Sequence, residues 1–192
     1  MINRTLFTDG VIKFTAIDPE KDAETISTWS NSPAFVQHYF DGFFHPLMPE
    51  EISKKMKEML KKANDNRARY YFALREVAGN RLVGLANLGY VIGANQSTWI
   101  SIDLVDAQAF QDFGRLVLDM VLDYAFLELS LHKVGVQLPA YSKDEIALYE
   151  EAGFLRESQR RQAVFFEGRY HDELVYGLLR SEWKMRNQEV AV

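Results

Sequence analysis

The 192-residue chain has no cysteine, which excludes disulfides, thiolate-held metals and a cysteine nucleophile in one step and suits a reducing compartment. Positive charge is also in deficit. Lys and Arg number 22 against 27 Asp and Glu, a formal net charge of −5. Binding to phosphate backbones without sequence preference needs clustered cations that release counterions, so nucleic acid is not an expected partner. No apolar run approaches the ~20 residues of a membrane span. Met1 to Gly10 contains Asn3, Arg4, Thr5 and Asp9 and reads as neither signal peptide nor anchor. His38, His45, His132 and His171 lack metal-ligand spacing, so no metal is expected. These absences together predict a soluble cytoplasmic protein.

The chain's 47% hydrophobic and 26% charged residues match an ordinary globular protein. Its length fits one domain over 1–192, with loose termini at 1–10 and 186–192. Val11 to Ile17 reads as a strand, and Asp18-Pro19 as the start of a helix striped by Ala23, Ile26 and Trp29. Ala34 to Pro49 is an aromatic loop without period. A second helix begins at Pro49, with Ile52, Met56, Met59, Leu60 and Ala63 on one face and five lysines in water. Tyr70–Val77 and Arg81–Val91 form a predicted hairpin, and Thr98–Leu104 is a further strand. Phe113 to Ala125 has the clearest helical period in the chain. A strand at Lys133–Leu138, a helix at Lys143–Ala152 stopped by Gly153, and two strands around Glu167-Gly168-Arg169 complete the order.

Phe113-Gly114, Leu122-Asp123-Tyr124-Ala125-Phe126, Leu131-His132-Lys133-Val134 and Leu148-Tyr149-Glu150-Glu151-Ala152-Gly153-Phe154 follow one another at set intervals. Phe166 to Asp172 and Leu178 to Trp183 continue the series, and Trp29-Ser30-Asn31 and Leu82-Val83-Gly84 precede it. In order and spacing this set resembles the GNAT superfamily of N-acetyltransferases, within it the branch of ribosomal-protein-alanine and spermidine acetyltransferases. The resemblance implies an α/β (α+β) fold: a mixed central sheet of about seven strands flanked by about four to five helices. It also implies acetyl-CoA as donor, a small-molecule or peptide amine as acceptor, and a homodimer.

The same resemblance implies roles for particular residues. Ile102 and Leu104 on the fourth strand would pair with pantetheine, and amides at Phe113, Gly114 and Arg115 would hold the pyrophosphate at a helix N-terminus. The family's glycine-rich turn falls on Ala109 to Gly114, where only Gly114 is kept. Asp112 there either repels the diphosphate or caps the helix. Tyr149 matches the tyrosine that protonates the departing thiolate, against the alternative of a core tyrosine. Ser142 stands where a pantetheine-binding Asn is common, and Glu145 three residues on also makes a capping box. Trp29, Asn31, Tyr39, His45 and Trp99 are the acceptor-pocket candidates, the aromatics offering a cation–π surface. Two readings stay open from these residues: an acetyl-CoA-dependent N-acetyltransferase, or a catalytically silent binding or scaffold module of the same fold.

Overall fold

A computed structural model describes residues 6–31, 35, 45–66 and 69–189. The elements run β1 (Ile12–Thr15), α1 (Lys21–Trp29), α2 (Pro49–Asn66), β2 (Tyr70–Glu76), β3 (Leu82–Ile92), β4 (Ser97–Leu104) and α3 (Ala107–Asp123). A π-helical turn (Tyr124–Glu128), β5 (Lys133–Pro139), α4 (Lys143–Glu151), β6 (Leu155–Phe166), β7 (Arg169–Leu179) and α5 (Arg180–Glu189) follow. The strands hydrogen-bond in the order β1-β2-β3-β4-β5-β7-β6, a mixed seven-stranded sheet with β4 parallel to β5. This is the expected architecture, with five α-helices among the described residues.

The packing divides the chain into two compact units, Met1–Gly89 with Ser101–Tyr124, and Tyr90–Ile100 with Ala125–Val192. In the first, the α1 stripe of Ala23, Ile26 and Trp29 and the α2 stripe of Ile52 and Met56 enter one buried cluster with Ala73 and Leu85 of the sheet. Burying each large side chain stabilises by about 1.5–3 kcal/mol. The α2 lysines 54, 55, 57, 61 and 62 are exposed, as the period predicted. The start of α1 is tied down by Asp18, whose carboxylate accepts from the Glu20 and Lys21 amides at 3.2 Å each. Buried Asp22 accepts from Arg75 at 2.5 Å, joining α1 to β2. A second aromatic group, Phe7, Phe14, Phe72 and Tyr124, has ring centroids 5.0–6.4 Å apart.

In the second unit β5 lies between β4 and β7, and β7 carries β6 at the edge. Helix α5 packs Trp183 on Phe126 with ring centroids at 5.2 Å. Of the expected loose termini, residues 1–5 and 190–192 lie outside the described residues. Arg180–Glu189 is helical, its first turn held as Glu182 accepts from the Leu179 amide at 2.9 Å. Phe7 accepts from the Phe14 amide at 2.8 Å, so the segment before β1 is fastened too. Most of the predicted aromatic loop, including Tyr39, lies outside the described residues.

Candidate active site

Local backbone chemistry explains the Tyr149 to Phe154 motif. Gly153 ends α4 at φ +95, a left-handed conformation that costs glycine little and a side-chain-bearing residue more. The Gly153 amide donates to Glu150 O at 2.9 Å and the Phe154 amide to Tyr149 O at 3.0 Å, the paired bonds of a Schellman motif. The hydrophobic contact that accompanies this motif is Tyr149 against Phe154, edge to face with centroids 5.1 Å apart. Tyr149 is therefore buried, 3% exposed, and fixed by the helix end itself. Tyr176 of β7 donates its hydroxyl to the adjoining Glu150 at 2.7 Å. Burial, then that bond to a carboxylate, pushes the Tyr176 phenol up to about 12.

At the opposite end of α4, Ser142 is the N-cap residue by position, but its side chain makes no capping hydrogen bond. The predicted capping box with Glu145 is not formed. The backbone closes the turn instead: the Ser142 amide donates to Pro139 O, and Ser142 O accepts from Ile146, both at 3.0 Å.

The phosphate turn needs a larger correction. Helix α3 starts at Ala107, so Ala109 to Gly114 are helical and not a turn. The N-cap is Asp106, whose carboxylate accepts from the Ala109 amide at 2.8 Å. Asp112 is no cap; it lies inside the helix, exposed, and accepts from Gln108 Nε2 at 3.0 Å. Gly114 is buried within α3, Phe113 is half-buried, and Arg115 is exposed and bonded to Asp119 at 3.1 Å. Sequence reasoning placed the helix start at the surviving glycine. The missed signal was Asp106 three residues before Ala109, an aspartate at the residue type's preferred capping position.

On β4, Ile102 and Leu104 are half-buried on one face. The alternate face carries a polar chain. Asn87 Nδ2 donates to Ser101 Oγ at 2.5 Å, and Ser101 Oγ donates to buried Asp103 at 3.0 Å. Gly84 permits this close approach of β3, since a Cβ there would lie 2.6 Å from Asp103 O. The β4–β5 ladder is short, from Ser97↔Lys133 to Trp99↔Gly135. Beyond Gly135, β5 continues to Pro139 paired with β7.

The acceptor candidates separate. Trp29 is 7% exposed and packs edge-on to Phe35 at 5.1 Å, so the pocket-wall reading gives way to a core role. Asn31 is exposed and donates to Thr28 O at 3.2 Å, finishing α1. His45 is exposed. Trp99 is 39% exposed, and its ring lies over Gly135, where a Cβ would meet ring carbons at 2.7 and 2.8 Å. Among the described residues no cluster of three or more His, Asp or Glu could hold a metal, and no helix is long and apolar enough to cross a membrane.

Residues 12–155 match the family model described as an acetyltransferase (GNAT) domain. The spermidine N(1)-acetyltransferase of Vibrio cholerae is 25% identical over 167 residues, 87% of this chain and 92% of that protein. An uncharacterized prophage-derived N-acetyltransferase of Bacillus subtilis, YokL, is 33% identical over 75 residues, 39% of this chain and 42% of that one. Among solved structures, the V. cholerae spermidine N-acetyltransferase in complex with CoA and spermine superposes with a TM-score of 0.77 at 23% identity, covering 92% of this chain and 99% of that one. This structural likeness is one of fold.

Proposed function

The chain belongs to the acetyltransferase (GNAT) domain family, and from that premise we propose that the amine it acetylates is a linear polyamine. The protein is an acyltransferase that moves an acetyl group from acetyl-CoA to an amine. The observation that carries the choice of acceptor is the likeness to a spermidine acetyltransferase, which runs through 87% of this chain and 92% of that one. The family match over residues 12–155 includes parts of both units, which supports one domain. The silent-module alternative finds no support in these likenesses.

The donor-binding residues fit acetyl-CoA in part. Helix α3 offers the first-turn amides of Ala107 and Gln108, which have no acceptor within a helix, and a favourable dipole. Asp106 already occupies the Ala109 amide and adds a negative charge, so the diphosphate end of the site is weaker than a glycine-rich turn. On this reading Ile102, Leu104, Phe113, Gly114, Arg115 and Ser142 are the donor-side segments. Asn31, Tyr39 and Trp99 remain acceptor candidates.

When bound, acetyl-CoA supplies an electrophilic thioester and a thiolate leaving group. Tyr149 holds a proton on Oη that it can deliver to that thiolate, the role of a general acid. Its fixed ring limits the search for that geometry, because the Schellman turn holds the helix end and Phe154 holds the ring. Trp99, 39% exposed, is an aromatic ring suited to an ammonium. A cytoplasmic setting agrees with the absence of cysteine. Self-association agrees with β6, an edge strand exposed from Leu155 to Ala163.

The test is thiol release from acetyl-CoA in the presence of spermidine, together with thermal unfolding at increasing acetyl-CoA. Turnover, and stabilisation of about 2.7 kcal/mol at a hundred times the dissociation constant, are expected. Absence of both stabilisation at millimolar acetyl-CoA and thiol release with any amine would overturn the enzyme reading.

A further inference from the structure

Two glycines face each other in the second unit. Gly135 of β5 and Gly177 of β7 are register partners, and Trp99 of β4 is the partner of Gly135 on its other side. Register partners project to the same face of a sheet, so this row puts two missing side chains beside one large ring. The ring fills the space over Gly135. The space over Gly177 holds an ion pair, since a Cβ there would lie 2.6 Å from Glu157 Oε1 and 2.8 Å from Lys133 Cε. Lys133 Nζ itself is 2.5 Å from Glu157 Oε1.

The arrangement juxtaposes an aromatic face and a carboxylate over neighbouring glycines, about 5 Å apart across one strand pair. An ammonium is already seated on that carboxylate: the chain's own. Lys133 and Glu157 side chains are 35% and 41% exposed, and solvated pairs of this kind are held weakly and exchange readily. A bulkier residue at either glycine would displace the ring or the pair.

We propose that Trp99 and Glu157 form a subsite for a protonated nitrogen of the acceptor, and that Lys133 is the internal cation which that nitrogen displaces. The acceptor class is a flexible amine with at least two nitrogens, a linear di- or polyamine. The nitrogen held on Glu157 keeps its proton, and a second, neutral nitrogen is the one acylated. Monoamines gain nothing from the subsite. Trp99 thereby acts as a wall that recognises charge, and Glu157 as a residue that selects acceptors by their number of charges. This inference rests on the amine-acetylating reading above.

The experiment compares spermidine with butylamine as acceptors for wild type, Glu157→Gln and Lys133→Met. Glu157→Gln is expected to raise KM for spermidine about tenfold, leaving kcat, the KM for acetyl-CoA and butylamine kinetics unchanged. Lys133→Met is expected to lower the spermidine KM severalfold, a gain that a purely structural ion pair would not produce. Equal shifts for both amines, or no shift, overturn the proposal. A binding measurement separates it from the functional reading. Trp99 is 39% exposed against 7% for Trp29 and 9% for Trp183, so spermidine added without acetyl-CoA should alter tryptophan emission. That change is expected to disappear in Trp99→Phe, weaken in Glu157→Gln and strengthen in Lys133→Met. If the wild type acetylates neither amine, the functional reading falls; the emission titration then decides the subsite, and an unresponsive spectrum sinks it.

Discussion

The beginning of α3 and the end of α4 face the same problem, how to satisfy backbone groups that a helix leaves unpaired, and they solve it in opposite ways. At the end of α4 the solution is mainly backbone: a left-handed glycine and two amides turned back onto Glu150 and Tyr149, with the Arg186 guanidinium donating to Glu151 O beside them. At the beginning of α3 the solution is a side chain, Asp106 on the Ala109 amide, and it uses a group that an anion would need. A helix end closed by glycine is compatible with chemistry beside it, whereas one closed by a carboxylate competes with an anionic ligand.

The largest expected effect tests whether the α4 end is more than a helix stop. Tyr149→Phe keeps the ring against Phe154 and removes only the hydroxyl. Turnover is expected to fall about 100-fold or more, the usual range for losing a general acid. Affinity for acetyl-CoA and thermal stability should stay near wild type. A variant that turns over normally would make Tyr149 a packing residue, and the comparison would then concern helix termination alone.

How much of this was readable follows from where each signal sits. The α4 end was legible because its cause is local: glycine at the left-handed position, with the tyrosine and phenylalanine of the Schellman contact four residues before it and one after. The seven strands were legible for the same reason, their alternation and turn residues being short-range. The start of α3 was misplaced because apolar period locates the middle of a helix better than its end, and the family's glycine drew the boundary inward. The placing of Trp99 and Glu157 over the neighbouring glycines Gly135 and Gly177 could not be read at all. It depends on the registers of β4, β5 and β7, which place residues 99, 135 and 177 side by side.

A second experiment sharpens the comparison through pH. Burial first, and the hydrogen bond to Glu150 second, raise the Tyr176 phenol from 10 to about 12. A folded-state value above the unfolded one means the folded protein holds this proton more tightly. The resulting stabilisation is fully present below pH 10 and is lost as pH rises from there through about 12. Two pKa units correspond to at most roughly 2–3 kcal/mol. Urea unfolding between pH 9 and 12 should therefore show a steep loss that Tyr176→Phe flattens. An equal slope in the variant would mean that another group governs alkaline unfolding, and that the α4 end is not braced by Glu150.

The smallest effect probes the α3 side directly, by separating two aspartates of equal charge. Asp106 caps the helix, while Asp112 sits over a turn further in, exposed and bonded to Gln108. Asparagine caps about as well as aspartate, so Asp106→Asn keeps the fold and removes the charge. Two like charges ~4 Å apart repel by about 1 kcal/mol even when solvated, so acetyl-CoA should bind roughly fivefold tighter at low salt, with the gain shrinking as salt is added. Asp106→Ala should show the same gain in affinity but lose about 1 kcal/mol of stability with the cap. Asp112→Ala is expected to change neither, because alanine suits a helix interior and the charge lies away from the first-turn amides. Titration calorimetry on the three variants decides the matter: if Asp112→Ala tightens binding as much as Asp106→Asn, the diphosphate is not held at the first turn of α3, and the contrast between the two helix ends loses its functional meaning.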